Sequence, residues 1–195
     1  MAATLKLFIS NGGTDDNPTD TDIDASGPPQ VRFKQADNAT IDAADPMPIP
    51  AAGTNYSRWK NNFLKCTVAP DTQADTFKIY TDGGGFGTGI ATRIGNQFPT
   101  KNSGASTGYD VADVNDDFNS TDNPTTGNTG ITSDSDLFSY TSGSPLTGPS
   151  ISEAGSIINA INETTNYFIT QMEVINTAVS GNLADETITI QWAEI

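Results

Sequence analysis

An antiparallel β-sandwich, jelly-roll-like and carrying long loops, is the fold class this sequence predicts, and three observations predict it. Short runs alternate apolar and polar residues with a period of two, as in ITIQW near the C-terminus. Helix formers are scarce: there are 6 Lys and 5 Glu against 19 Asp, whose short side chain competes for local backbone groups. No long helical pattern lies between the strand candidates, which argues against a parallel sheet with crossover helices. At 195 residues the chain fits one domain, with extended loops at about 11–29 and 95–149.

The elements follow in order. Thr4 to Ser10 reads as a strand with Leu5, Leu7 and Ile9 on one face. Asn11 to Pro29 is polar and reads as a long loop or contact arm. Gln30 to Gln35 alternates and predicts a second strand with Val31 and Phe33 inward. Pro46, Pro48 and Pro50 then enforce extended backbone, so this stretch reads as an edge segment without full ladder pairing.

Ser57 to Val68 predicts a longer strand, and 75–81 another, the two joined by a polar turn. Leu64, Cys66 and Val68 form one apolar set, Phe77 and Ile79 the next. A glycine cluster, Gly83 to Gly89, gives a flexible loop before a short strand within 88–94. From Gly95 to Pro149 there are only apolar islands, at Tyr109, Val111, Val114, Phe118, Ile131 and Leu137-Phe138. Ile151 to Glu163 predicts a short helix or a turn. Asn166 to Val179 predicts a strand covered on both faces, and 186–194 a final strand with Ile188, Ile190 and Trp192 inward; the spacing suggests that these two form a hairpin.

The net charge of -15 sets the partners. Nucleic acid and anionic membranes are repelled by such a field, so neither is expected. Cys66 is alone, which leaves no internal disulfide and predicts a small buried hydrophobe. The segment MAATLKLFIS lacks the apolar core of a signal peptide, and no apolar run reaches the length of a membrane span.

There is no histidine, which removes the commonest general base and the best zinc ligand. Gly104 to Gly108 matches G-x-S-x-G, but without a histidine partner it reads as chance in a small-residue loop. GGGFGTG is out of register with a dinucleotide fingerprint and has no Gly-Lys-Ser/Thr after it. Two acidic clusters carry hard oxygen ligands and are calcium candidates: Asp20, Asp22 and Asp24, then Asp113, Asp116 and Asp117. The first departs from a calcium loop at Ala25 and Val31, so a solvated acidic loop is the competing reading for both. Four sequons, at Asn38, Asn55, Asn119 and Asn162, matter only where a glycosylation system is met. No cofactor and no catalytic set is expected.

The run VRFKQADNATIDAADPMPIPAAGTNYSRWKNNFLK with TFKIYTDG, and the ending YFITQMEVINTAVSGNLADETITIQWAEI, resemble small β-sandwich virion proteins of tailed viruses of bacteria and archaea. The resemblance covers residues 30–90 and 166–195. It implies a non-enzymatic virion protein, most often a capsid decoration or cement protein that works as a homo-oligomer, a trimer above all, on the major capsid protein. A tail or baseplate component is the nearest variant. From the residues themselves, a calcium-dependent carbohydrate-binding or adhesion module is the rival. Interface candidates are Pro46, Pro48, Pro50, Tyr56, Trp59, Phe86 and Phe98, with core packing as the alternative for each aromatic.

Overall fold

The computed structural model describes residues 2–15, 17–24, 30–40, 46–101, 109–120, 131–148, 157–181 and 183–195. Among the described residues ten strands form two antiparallel sheets packed as a β-sandwich, and there is no α-helix. The strands are β1 (Thr4–Thr14), β2 (Asn17–Asp22), β3 (Thr54–Tyr56), β4 (Lys60–Val68), β5 (Ala74–Thr81), β6 (Ile90–Gly95), β7 (Asp134–Asp136), β8 (Leu146–Thr147), β9 (Phe168–Ile175) and β10 (Ile188–Glu194), with one 3₁₀ turn at Leu137–Ser139.

The large sheet has seven strands in the order β2-β1-β4-β9-β6-β7, with β3 also paired to β9; the small sheet has three, β10-β5-β8. Alternation along each strand divides the large sheet into an inner and an outer face. Leu5, Leu64, Cys66 and Phe168 point inward, where they meet Phe77 and Ile79 of the small sheet. Phe63 and Ile169, one residue out of phase, point outward into a second core with Trp59, Tyr167, Tyr109, Ala112, Phe118 and Ile131. The apolar islands at 109, 118 and 131 are therefore a third layer, covering the outer face of the large sheet. Full burial of each such side chain stabilises the fold by about 1.5–3 kcal/mol.

That layer is anchored by hydrogen bonds as well as by packing. The Gln171 amide on β9 donates to the carbonyls of Asp116 at 2.6 Å and Ser57 at 2.8 Å, and its oxygen accepts from Phe118 N at 3.1 Å. Trp59 Nε1 donates to Asp110 O, Tyr109 OH to Gly12 O, and Tyr56 N to Asn115 Oδ1. The buried groups among these, at Trp59, Phe118 and Gln171, would each cost about 1–3 kcal/mol if left unpaired, so the segment is bound to the sheet and is not a free arm.

Three expectations are corrected. The 11–29 stretch is not all loop: Asn17–Asp22 pairs with β1, placing Asp20 opposite Ser10 and Asp22 opposite Phe8. Gln30 to Gln35 forms no strand; Lys34 is buried and its ammonium donates to Thr40 O, while Gln35 donates to Tyr56 O. Polar side chains there bind local carbonyls, which competes with a ladder. The final two strands are not a hairpin, because β9 sits in the large sheet and β10 pairs with β5. Likewise β4 and β5 do not pair, since the turn between them carries the chain from one sheet to the other. Of 151–163, only 157–163 lies within the described residues; it turns, with Ile158 buried against Ala74 and Ile161 exposed. The G-x-S-x-G at 104–108 lies outside the described residues.

Candidate functional site

Seven strands face three, so the inner face of the large sheet extends past the strands that cover it. At that end β6 and β9 present Ile90, Met172 and Val174 inward by their alternation. The proline segment supplies Pro46, Met47 and Ile49 on one side, and the connection after β9 supplies Ala178, Val179 and Leu183 on the other. Together they line a groove of about 410 Å³. Among the described residues its lining contains no charged side chain, on a chain of net charge -15. Val179 is 76% exposed, with Ile49 and Leu183 at 38% and 39%, so apolar surface faces solvent here.

Glycine makes one wall possible. Gly89 has φ +78°, and a Cβ there would stand 2.5 Å from Ala178 N. This close approach lets Gly89 O accept from Ile175 N, which fixes the turn that leads into Ala178 and Val179.

A second constellation lies on the outer face. Arg93 on β6 donates to Asp134 and, at 3.1 Å, to Asp117, and stands 3.5 Å from Glu173. Its guanidinium also lies 4.9 Å from the centroid of the Phe118 ring. Burial disfavours the Arg93 charge, but the hydrogen bonds and charges of Asp134 and Asp117 outweigh it and raise the pKa. The hydrogen bond from Arg93 holds the Asp134 pKa below its ordinary value. Glu173 goes the other way: burial raises its pKa, and Asp117, Asp134 and Asp136 raise it further against Arg93. Tyr56 stands beside this group, its phenol raised by burial and by Asp117. Arg93 thus supplies the positive charge around which these acids gather and ties the 109–120 segment to the sheet.

The calcium candidates are dispersed among other partners. Ser10 Oγ donates to Asp20, and Asp20 pairs with Lys101. Asp22 pairs with Lys6 and accepts from Asp24 N, while Asp24 accepts from Leu7 N. Asp116 accepts from Ser120 Oγ, Asp117 belongs to Arg93, and Asp113 is exposed. Among the described residues no group of three or more acids, cysteines or histidines is placed to hold a metal ion, and no helix is long and apolar enough to cross a membrane.

The interface candidates separate. Pro46 lines the groove, Pro48 is exposed beside it, and Pro50 is partly buried. Trp59 is fully buried in the outer core, the core-packing alternative for this residue. Phe86 packs edge-on against Phe138 at 5.6 Å, and Phe98 packs into the inner core. Burial of Cys66 raises its thiol pKa, as suits a core residue. Sequence reading missed Met172, Val174, Val179 and Leu183 as groove residues; Leu183, apolar between the strands read at 166–179 and 186–194, was the available signal. Comparison with family models, curated proteins and solved structures finds no match for this chain.

Proposed function

We propose that this chain is a non-enzymatic virion structural protein, a homo-oligomeric decoration or cement protein that seats on a capsid shell through the groove between the proline segment and the 178–183 connection. One observation carries this reading: a chain of net charge -15 keeps open to solvent a groove whose described lining is apolar and uncharged. Surface of that kind gains free energy when a partner's apolar side chain fills it, and acidity elsewhere keeps copies soluble until they meet the partner. A stable contact needs about 800 Å² per partner, so the groove serves as the central anchor and the surrounding surface as its rim.

The test combines solution mass by light scattering, with calcium and with chelator, and co-sedimentation with empty shells. The expected result is a discrete oligomer indifferent to chelator that sediments with shells. Val179→Asp is expected to keep the fold, because the side chain is 76% exposed, and to lose shell binding. Equal binding by Val179→Asp would overturn the groove as the contact. A mass or melting temperature that collapses on chelation would favour the calcium-dependent carbohydrate-binding module instead.

A further inference from the structure

Asn11 is the one asparagine in the sequence that precedes a glycine, and it lies where β1 leaves its regular ladder. Gly12 and Gly13 both take positive φ, +62° and +74°, and the pairing of β1 with β2 slips between Asn11 and Thr14. Gly13 admits no side chain, because a Cβ there would stand 2.3 Å from Asn17 O. At the slip Gly12 N donates to Asp37 Oδ2 at 2.7 Å, and Gly12 O accepts from Tyr109 OH at 2.8 Å. Tyr109 is fully buried; burial, and after it Asp37, push the phenol pKa up, so it stays a donor. Two segments far apart in sequence thus hold the N–H and the carbonyl of Gly12.

The Asn11 side chain is held as well. It is 9% exposed, and its Nδ2 donates to Thr21 Oγ1 at 3.2 Å and to Ile9 O at 3.5 Å. Asparagine before glycine is reactive because no Cβ shields the next backbone nitrogen. Once that nitrogen gives its proton to water or hydroxide, its lone pair attacks Cγ of the asparagine. A bond forms between Gly12 N and Asn11 Cγ, the Cγ–Nδ2 bond breaks, and the amide nitrogen takes up a proton from solvent and leaves as ammonia. Water then opens the five-membered imide at one carbonyl or the other, giving isoaspartate or aspartate, and only water is consumed. In the fold both reacting groups are occupied. Gly12 N faces a carboxylate, whose charge disfavours the amide anion, and the Asn11 amide is turned to Thr21 on β2.

We propose that Asn11–Gly12 is a self-modification site, a one-way deamidation that the fold holds off through Asp37 and Tyr109 and that proceeds when their segments lift from Gly12. Local opening is the gate, since small units of a fold open well before the whole unfolds. The product does not fit back. Isoaspartate adds a backbone atom at the pairing of Asn11 with Thr19, and either product puts a carboxylate where an amide donated to Ile9 O. Among the described residues β2 pairs only with β1 and buries little, so this pairing is what the modification breaks. The site is separate from the apolar groove and does not rest on the shell reading.

The experiment incubates the full chain at neutral pH and maps its peptides by mass spectrometry, with enzymatic methylation to count isoaspartate. In urea the wild type is expected to convert at Asn11, and Gly12→Ala to convert far more slowly. The folded wild type should keep its amide over the same time. Asp37→Ala, shown to be folded by circular dichroism, should convert about ten- to a hundredfold faster than the folded wild type, the effect expected from losing one hydrogen bond to a charged group. Tyr109→Phe keeps its ring in the outer core, removes the donor to Gly12 O and should also convert faster. Converted chains, separated by ion exchange, should exchange the amides of residues 19–22 faster than unconverted ones. Where a variant does not fold, the wild type decides: below its unfolding midpoint, deamidation at Asn11 and hydrogen exchange at Gly12 should rise together with urea. Three results would each overturn the proposal: a folded wild type that converts as fast as the chain in urea, folded variants that convert no faster than the wild type, or deamidation that does not follow exchange at Gly12. Converted chains with unchanged exchange at 19–22 would overturn the one-way opening of β2. None of these outcomes bears on whether Val179→Asp loses shell binding, so the two proposals fail separately.

Discussion

Replacing Lys60 with methionine tests how the interior treats a buried cation. Lys60 opens β4 with 1% of its surface exposed, and its ammonium donates to Ala36 O at 3.2 Å and Asn38 O at 3.5 Å. Burial pushes its pKa down from 10.5 to about 8, with Asp37 opposing and Lys34 and Arg58 adding to the depression. The unfolded chain therefore binds this proton more tightly than the fold does. The cost to stability is complete below about pH 8 and disappears as pH rises through the unfolded value near 10.5. A shift from 10.5 to about 8 amounts to about 3 kcal/mol at pH 7 and about 2 kcal/mol at pH 9. Lys60→Met removes that cost but leaves two carbonyls without a donor, a loss of about 1–3 kcal/mol that does not depend on pH. The net change at pH 7 is thus small, while its pH dependence is not. Urea unfolding at pH 7 and pH 9 should show the variant losing about 1–2 kcal/mol relative to wild type over that interval. A stability difference that stays constant from pH 7 to pH 9 would refute the argument, because it would mean that Lys60 keeps an ordinary pKa in the fold.

Two further predictions concern the acid cluster and the groove. Glu173→Gln should raise the melting temperature at pH 7, since burial and three neighbouring acids disfavour the Glu173 charge. For a carboxylate with a raised pKa the cost is complete above the folded pKa and vanishes below the ordinary one, so the gain should fade in melts at about pH 4. A loss at pH 7 would show that the Arg93 contact dominates, and a gain that persists at pH 4 would show that the charge is not its source. Gly89→Ala should destabilise the chain by about 2–4 kcal/mol in urea, because a Cβ there strikes Ala178 backbone atoms at a positive φ. A cost below about 1 kcal/mol would show that the 176–178 turn yields freely.

What could be read from sequence was what burial wrote into it. β1, β4, β5 and β10 were legible as a period of two, and β9 as a run with apolar residues on both registers. β2 was not, because NPTDTD lies at an edge with little to bury and so carries no apolar alternation. QVRFKQ shows the converse: it alternates, yet Lys34 and Gln35 bind nearby carbonyls in place of a ladder. Which strands pair is a long-range matter. A turn after β9 signals that the chain reverses, but the free edge of β5 decides where β10 goes. The groove was half legible: three prolines marked one wall, whereas the other walls required knowing that the large sheet outruns the small one.

The two C-terminal strands have a consequence for how this chain is made. β9 lies in the middle of the large sheet, where Asn62 meets Phe168 across 106 residues of sequence, and β10 completes the side of the small sheet beside β5. Neither sheet can close until residues 168–194 have left the ribosome. During that interval the inward faces of β1, β4 and β5 have no cover, and non-local pairing of this kind is intrinsically slow. The acidic excess of residues 1–167, 20 Asp and Glu against 9 Lys and Arg, then acts before any folded surface exists: it holds neighbouring nascent chains apart while each waits for residues 168–194.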